Sequence, residues 1–557
     1  MKLPESVRQP VALKDDLVAG VTTAVMLIPQ AMAYAILAGL PPVVGLYASI
    51  GPLIAYALSG SSRQLAVGPV ALLSLLVLTS VSAFAEPGSA RFVALATLLA
   101  LLMGGAQLIM GLLRLGFLTN FLSNPVLAGF TSAAALIIAL NQLGPLLGLE
   151  LPGGHNVIAI VSAALRRAPE VHPATATIGA FSIAALLLCA RFAPRAPRAL
   201  LVVAASTIAV VALDLGAGGG GVAVVGTIPR GLPAPSLPLL ELEAVVALLP
   251  VAIVVAMVAF MESLAAAKAV ARRHGDEIAP NRELVALGLS NVTAGFFGAY
   301  PVTGGFARSV VNDQAGAKTR LAGVVTAAVA AVSVSLLAPL FTNLPRAALA
   351  AIIIVAITGL IDVSEVRRLW RVKRGDLVLL VLTFGATLAL GVVPGILAGV
   401  GTSLLWFIVR STRPHFAILG RLPKSGAFRN IAHYPEAETI PGVLVLRIDS
   451  QLYFGNVGFL KTTLRKLLAD SKERVHMVVL DAGGINQLDS SAATALVEIA
   501  LDLSKRDMRL VLANVKCPVE VVLQRAGVLR ECAMFLSLDE AVRSAGGACQ
   551  SVASPDA

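Results

Sequence analysis

Positions 301–312 read PVTGGFARSVVN, and how this run is read decides the fold. It lies deep in an apolar chain, yet it does not suit an uninterrupted spanning helix. Thr303, Gly304 and Gly305 break the helix just before Arg308. A new helix is predicted from near Phe306, through Ala307, Arg308 and Ser309 to Asn312. An arginine one turn inside a helix start at membrane depth is costly and marks a functional position. The guanidinium and the backbone amides of that helix start would both face a bound anion.

Around this run the 557-residue chain is 57% apolar and 13% charged. Apolar blocks long enough to span a bilayer, about 18 residues or more, recur from Leu17 to Val409. That is the pattern of a multi-spanning helical membrane protein. The polar, mixed stretch 1–13 does not read as a cleavable signal peptide. The net charge of +11 is uneven: from Ile440 onward there are 13 Lys+Arg and 13 Asp+Glu, so the excess sits earlier. There it reports membrane topology and argues against nucleic-acid binding. Cys189, Cys517, Cys532 and Cys549 are spaced for neither zinc nor a disulfide framework, and free thiols are expected. No phosphate-binding loop, H-E-x-x-H or G-x-S-x-G context occurs, so no enzyme site, metal or cofactor is predicted.

Spans are predicted at 17–37, 43–58, 64–74, 92–113, 125–147, 174–192 and 199–213. The second half repeats the plan at 244–270, 284–297, 301–314, 321–341, 347–361, 377–393 and 396–409. Seven plus seven spans make an inverted repeat, with the broken ones third and tenth. In the third, Val67 and Gly68 lead through Pro69 into a helix at Val70 and Ala71, built as in the tenth. Two half-helices facing each other would form a compact positive site. The loop 217–221 is glycine-rich and expected to be flexible. With the N-terminus inside, the loops richer in Lys and Arg fall on one side, densest at Arg367, Arg368, Arg371, Lys373 and Arg374. Arg166 and Arg167 are exceptions. This positive-inside pattern puts both termini in the cytoplasm of a bacterial-type inner membrane.

Glu262 is the one acidic residue in its apolar run AMVAFMES. At that depth it could exchange a proton or cation in each cycle; the static alternative is a fixed pairing with a buried base or a capping role. Arg308 could contact the anion or pair with Glu262. Ser309 and Asn312 read either as further donors or as ordinary helix-face residues. Gln30 and Tyr34 share one face of the first span, with Gln30 facing a cavity and Tyr34 either walling the site or packing. Gln107, Asn141 and Gln142 read as weaker candidates or as hydrogen-bonding glue between helices.

After Pro414 the composition becomes that of a soluble domain. Strands at 443–448, 475–480 and 509–513 alternate with helices at 457–468, 491–503 and 519–524, which predicts a small α/β domain. The chain thus divides into an arm (1–14), a transport domain (15–412), a linker (413–439), the α/β domain (440–546) and a disordered tail (547–557). Asp489-Ser490-Ser491 opens a helix, with a serine expected as its N-cap and phosphorylation of Ser490 or Ser491 as the alternative.

Pro29-Gln30-Ala31-Met32-Ala33-Tyr34, with Ala38-Gly39-Leu40-Pro41-Pro42 and Gly45-Leu46-Tyr47, resembles the first-span motif of the sulfate permease (SulP) anion transporters. Ala66-Val67-Gly68-Pro69 and Gly304–Asn312 resemble that family's broken third and tenth spans. Val479-Leu480-Asp481 and Leu488-Asp489-Ser490-Ser491 resemble its C-terminal STAS domain. The resemblance implies a fourteen-span all-α inverted repeat with core and gate subdomains, elevator-like motion and a homodimer. It implies an anion held by Gln30, Tyr34, the turn of Val67, Gly68, Val70 and Ala71, and Gly304, Gly305, Phe306, Ala307, Arg308 and Ser309. An acid at Glu262 resembles the H+- or Na+-coupled members. Two departures stand out: Ala307 where the family often has Ser, and Ala492 where STAS domains often have Gly. The function expected is secondary active symport of sulfate, bicarbonate or a C4-dicarboxylate with H+. The alternatives are an uncoupled exchanger or channel, a Na+-coupled bicarbonate transporter, a nucleobase carrier, or a membrane-anchored signalling protein.

Overall fold

The computed structural model describes residues 10–117, 123–154, 156–193, 196–216, 221–236, 241–471 and 473–545. Residues 1–9 of the predicted arm, Arg195, loop positions 217–220, Cys549 and the tail 547–557 lie outside them. The chain forms two compact units that divide between Ser403 and Leu404.

The first unit is helical. Its first half holds α1 (Pro10–Leu37), α2 (Pro42–Tyr47), α3 (Gly51–Ser59), β1 (Val67–Gly68), α4 (Ala71–Val81), α5 (Ala90–Leu112), α6 (Asn124–Asn141), α7 (Leu143–Leu147), α8 (Val157–Arg166), α9 (Pro173–Phe192) and α10 (Arg198–Ala212). The second half holds α11 (Leu242–His274), α12 (Pro280–Phe296), β2 (Thr303–Gly304), α13 (Phe306–Gln314), α14 (Leu321–Val332), α15 (Arg346–Ile357), α16 (Val363–Val372), α17 (Arg374–Leu390) and the start of α18 (Val392–Thr412), which runs past the division. Local chemistry sets many of these starts. Ser89 caps α5 through the Phe92 amide, Asn156 caps α8, and proline occupies the first turn of α2, α3, α6, α9 and α12.

Nine described helices or helix pairs are long and apolar enough to cross a membrane. The stretch 43–58, expected as one span, is two helices joined at Ala48–Ile50, with proline restarting the second. The short α8 and α16 were not anticipated, because neither carries an apolar run of spanning length. One close helix pairing is α5 on α12. A Cβ on Gly104 would meet the Gly288 carbonyl at 2.8 Å, and one on Gly288 would meet the Gly104 carbonyl at 2.9 Å. Two backbones touch there because both residues are glycine.

The second unit carries a six-stranded sheet in the order β4-β3-β5-β6-β7-β8. Its strands are β3 (Phe416–Arg421), β4 (Phe428–Asn430), β5 (Val443–Ile448), β6 (Met477–Asp481), β7 (Arg509–Ala513) and β8 (Ala533–Phe535). β5 to β8 run parallel, with α19 (Val457–Asp470), α20 (Ser490–Ser504) and α21 (Cys517–Arg525) between them and α22 (Leu538–Arg543) last. Both faces are covered, since Val478 and Leu480 pack with α19 and α20 while Met477 and Val479 pack with α22. The stretch 413–439, expected as a linker, instead supplies β3 and β4, and β3 pairs antiparallel with β5. Its strand pattern is short and its polar neighbours masked it.

Asp489, and not a serine, caps α20: Oδ1 accepts the Ala492 amide at 2.7 Å and Oδ2 the Phe454 amide at 2.9 Å. Ser490 and Ser491 are exposed in the first turn. Cys189, Cys517 and Cys532 are free thiols. Burial pushes the Cys532 thiol up to about 12, with Glu531 adding to the effect, so it stays protonated and unreactive at neutral pH. Asp489→Ala is expected to destabilise the C-terminal unit by about 1 kcal/mol or more, and Ser490→Ala by no more than a few tenths. Proteolytic susceptibility of that unit in the full chain measures both.

Candidate functional site

In an apolar interior an extended backbone segment must find partners for its amides and carbonyls. β1 and β2 solve this by pairing with each other. Val67 stands opposite Gly304 and Gly68 opposite Thr303, antiparallel, and the Gly305 amide extends the ladder to the Ala66 carbonyl at 3.1 Å. The ladder joins the two halves of the chain, with α4 following β1 and α13 following β2. Neither helix has a side-chain cap, since α4 is preceded by Val70 and α13 by Gly305. Their first-turn amides are therefore left for another acceptor.

Side chains reinforce this crossing. The Ala66 amide donates to Ser309 Oγ at 3.0 Å, and that hydroxyl donates to the Gly305 carbonyl at 2.8 Å. Asn312 Nδ2 donates to the Gln64 carbonyl at 3.0 Å, while Thr23 on α1 donates to Asn312 Oδ1 at 3.3 Å. The hydroxyls of Ser74 and Tyr300 meet at 3.0 Å. Ser309 and Asn312 thus tie the crossing together, and the single hydroxyl proton of Ser309 is already in use.

α13 is also fastened to α11, the helix of Glu262. The Gly304 amide donates to Ser263 Oγ at 2.7 Å, the Ser263 and Thr303 hydroxyls meet at 2.7 Å, and Thr303 donates to the Ala259 carbonyl at 2.6 Å. At the far end Asp313 holds His274 Nε2 at 2.5 Å and Arg273 at 3.4 Å. Behind the crossing, Asn291 bonds both the amide and the carbonyl of Val302, at 2.8 and 3.0 Å, and reaches Gln107 Oε1 at 3.0 Å. Gln107 continues to the Ala256 carbonyl. Asn141 instead closes a local turn with Gly154.

Arg308 sits at the centre, 2% exposed. Its Nη1 donates to the Pro69 carbonyl at 2.5 Å, while Nε and Nη2 are buried with no hydrogen-bond partner among the described residues. Two glycines make room for the guanidinium. A Cβ on Gly305 would stand 2.9 Å from Nη2, and one on Gly68 would stand 3.4 Å from it. Among the described residues no ion pair includes Arg308 or Glu262, although the two charges interact at longer range. The expected alternative of a direct pair between them is therefore not realised.

Tyr34 lies within electrostatic reach of both Arg308 and Glu262. Gln30 and Tyr34 are buried on α1, and neither side chain has a hydrogen-bond partner among the described residues. Val67, Gly68, Val70, Ala71, Gly304 and Gly305 are buried, whereas Phe306 and Ala307 are exposed on the first turn of α13. Ser263, Tyr300 and Asn291 were missed by sequence reading, and Thr303 was read only as a helix breaker. Their only signal was a polar group inside an apolar run, and their partners are 11 to 226 residues away.

The arrangement defines a polytopic helical membrane protein whose chain halves cross at two uncapped helix starts, followed by an α/β domain. Residues 13–383 match the sulfate permease family and residues 434–541 the STAS domain, and the chain belongs to the sulfate permease family. It is 40% identical over 535 residues to sulfate transporter 4.1, chloroplastic, of Arabidopsis thaliana, covering 93% of this chain and 77% of that one. It is 36% identical over 535 residues to the probable sulfate transporter Rv1739c of Mycobacterium tuberculosis, covering 96% and 95%. These relatives are named as transporters and not as enzymes. The fold matches murine Slc26a9, an anion transporter solved in the inward-facing state, with a TM-score of 0.89 at 24% identity, covering 98% and 92%. It also matches the transmembrane domain of the cyanobacterial bicarbonate transporter BicA, with a TM-score of 0.62 at 26% identity, covering 71% and 98%.

Ser309→Ala removes the acceptor of the buried Ala66 amide. It is expected to lower stability by about 1–3 kcal/mol with no substrate present. Thermal unfolding of the purified protein in a buffer free of small inorganic anions tests this. A Ser309 that served only the anion would leave that midpoint unmoved.

Proposed function

We propose that this chain is a secondary active transporter that carries a small anion between the starts of α4 and α13. The observation that carries the reading is Arg308, a nearly buried guanidinium with two nitrogens lacking partners, set beside two uncapped helix starts. Leaving such donors unsatisfied costs more than the roughly 1–3 kcal/mol of a neutral group, so they favour an anion as their partner. Helix amides add positive potential without another full charge. Gln30 and Tyr34 on α1 and the Val67–Ala71 and Gly304–Arg308 turns complete the site. Ala307 supplies no side-chain hydroxyl, so the site leans on backbone amides. Sulfate is the leading substrate, supported by the names of the relatives.

Glu262 is the proposed coupling group. Among the described residues it has neither a basic partner within ion-pair distance nor a hydrogen bond to a helix start, as the pairing and capping alternatives would require, and it shares a helix with the Ser263 anchor of the α13 start. Neutralising Glu262 by H+ uptake as the anion binds beside Arg308 would keep the net charge of the site constant for a monovalent anion and would offset one of the two charges of sulfate. The membrane unit is read as fourteen spans in a 7+7 inverted repeat, moving elevator-like in a homodimer. It would reside in an inner membrane with both termini cytoplasmic, and the STAS domain, through Ser490 or Ser491, would regulate it. Bicarbonate transport, with Na+ as the coupling ion, is the second reading; the likeness to BicA supports its substrate.

Uptake into proteoliposomes across a panel of sulfate, bicarbonate and C4-dicarboxylates, with pH and Na+ gradients imposed separately, tests both readings. Sulfate uptake driven by an inward proton gradient, and lost in Glu262→Gln while the protein stays folded, is the expected outcome. Uptake in that variant that still follows the pH gradient removes Glu262 from coupling. Uptake that follows only Na+ supports the second reading.

A further inference from the structure

Outside the site, one exposed element has a chemistry that the transport reading does not use. α16 reads VSEVRRLWRV and is followed by Lys373 and Arg374. At about 100° per residue its side chains sort into three strips. Leu369 faces the protein, 3% exposed. Val363, Val366 and Trp370 follow at three- and four-residue spacing and are all exposed, Trp370 at 62%. Arg367 and Arg371, four apart, form the adjoining strip and are exposed as well. α16 closes the spanning-length stretch Arg346–Val372, after a break at Thr358–Leu360.

The acids of this segment are all occupied. Asp362 caps α16, accepting the Glu365 amide at 2.9 Å and the Ser364 hydroxyl. Glu365 is held by Arg368 through two bonds of 2.7 and 2.6 Å. Asp376 lies 3.8 Å from Lys373. Among the described residues, Arg367, Arg371 and Arg374 have no acidic partner, and the Arg374 guanidinium lies over the Trp370 ring at 5.6 Å. An exposed apolar strip with tryptophan, flanked by free guanidiniums, is what a helix at the water–lipid boundary requires.

We infer that α16 and Arg374 form a binding surface for anionic phospholipid headgroups, with Val363, Val366 and Trp370 seated among the upper acyl chains. Arg367 and Arg371 reach the phosphates from the adjoining strip. Charge complementarity selects this occupant: three cations without acidic partners need an anion, and the apolar strip beside them excludes a purely aqueous one. The surface would tie the α15–α17 connection to the leaflet's composition, separately from the anion site.

The chain contains two tryptophans, Trp370 and Trp406, so full-length Trp406→Phe leaves Trp370 as the sole tryptophan, excited selectively at the red edge of the absorption band. It is reconstituted in phosphatidylcholine vesicles in which a minor fraction of the lipid, either phosphatidylglycerol or phosphatidylcholine, carries brominated acyl chains. Both lipids should quench Trp370, and phosphatidylglycerol should show a local enrichment on the order of fivefold or more. R367Q/R371Q should lose that preference while keeping the quenching by phosphatidylcholine, and R367K/R371K should keep the preference. Equal quenching by the two lipids, or a preference that survives in R367Q/R371Q, overturns the inference. So does the absence of quenching by either lipid, or quenching that falls as protein density rises, which would put a second copy of the chain on this face.

Discussion

The ladder between Val67-Gly68 and Thr303-Gly304 is the constraint on which the rest depends. A break in a helix within an apolar interior exposes peptide groups that no water can serve. Two breaks that serve each other remove the penalty for both. The cost of unpaired backbone therefore becomes a contact between residues 235 and 237 apart, reinforced by Ser309, Asn312 and the Ser74–Tyr300 pair. The same pairing brings two uncapped helix starts to one place. Architecture and electrostatics here have a single cause.

Arg308 shows how closely the two are joined. Its Nη1 satisfies the Pro69 carbonyl at the entry to α4, so half the guanidinium helps hold the opposing strand–helix turn. The other half points away without a partner, between Gly68 and Gly305. These glycines do more than break helices: they leave the volume in which a planar cation can lie against backbone. The arginine thus belongs to the crossing and, in the proposed function, to the anion site as well, and truncating it should then disturb both, the site most. The anchoring of α13 to α11 through Ser263, Thr303 and Asp313 carries Glu262 in register with this centre.

The broken run at 301–312 and its partner at 64–74 were legible because glycine and proline interrupt apolar sequence in only a few ways. Their direct pairing was not legible, since strand register between segments two hundred residues apart leaves no local periodicity. Roles for side chains divided along the same line. Arg308 and Glu262 stood out as charges in apolar runs, while Ser309 and Asn312, read either as donors or as ordinary helix-face residues, bond the crossing's own backbone. In the C-terminal unit the β–α alternation from Val443 onward was readable. β3 and β4 were not, because β3 joins the sheet antiparallel next to β5 from a stretch of mixed polarity. Asp489 took the capping role expected of a serine, its two oxygens serving two amides where a hydroxyl serves one.

The central claim is that the free side of the Arg308 guanidinium binds the transported anion. Equilibrium binding of radiolabelled sulfate to the purified full chain at low ionic strength, compared with Arg308→Ala, tests it most directly. The account predicts that the dissociation constant rises roughly 10- to 100-fold in the variant, the loss of one charge-assisted contact in a buried site. An unchanged dissociation constant in a folded Arg308→Ala protein would contradict it and leave Arg308 as a structural tie to Pro69 alone.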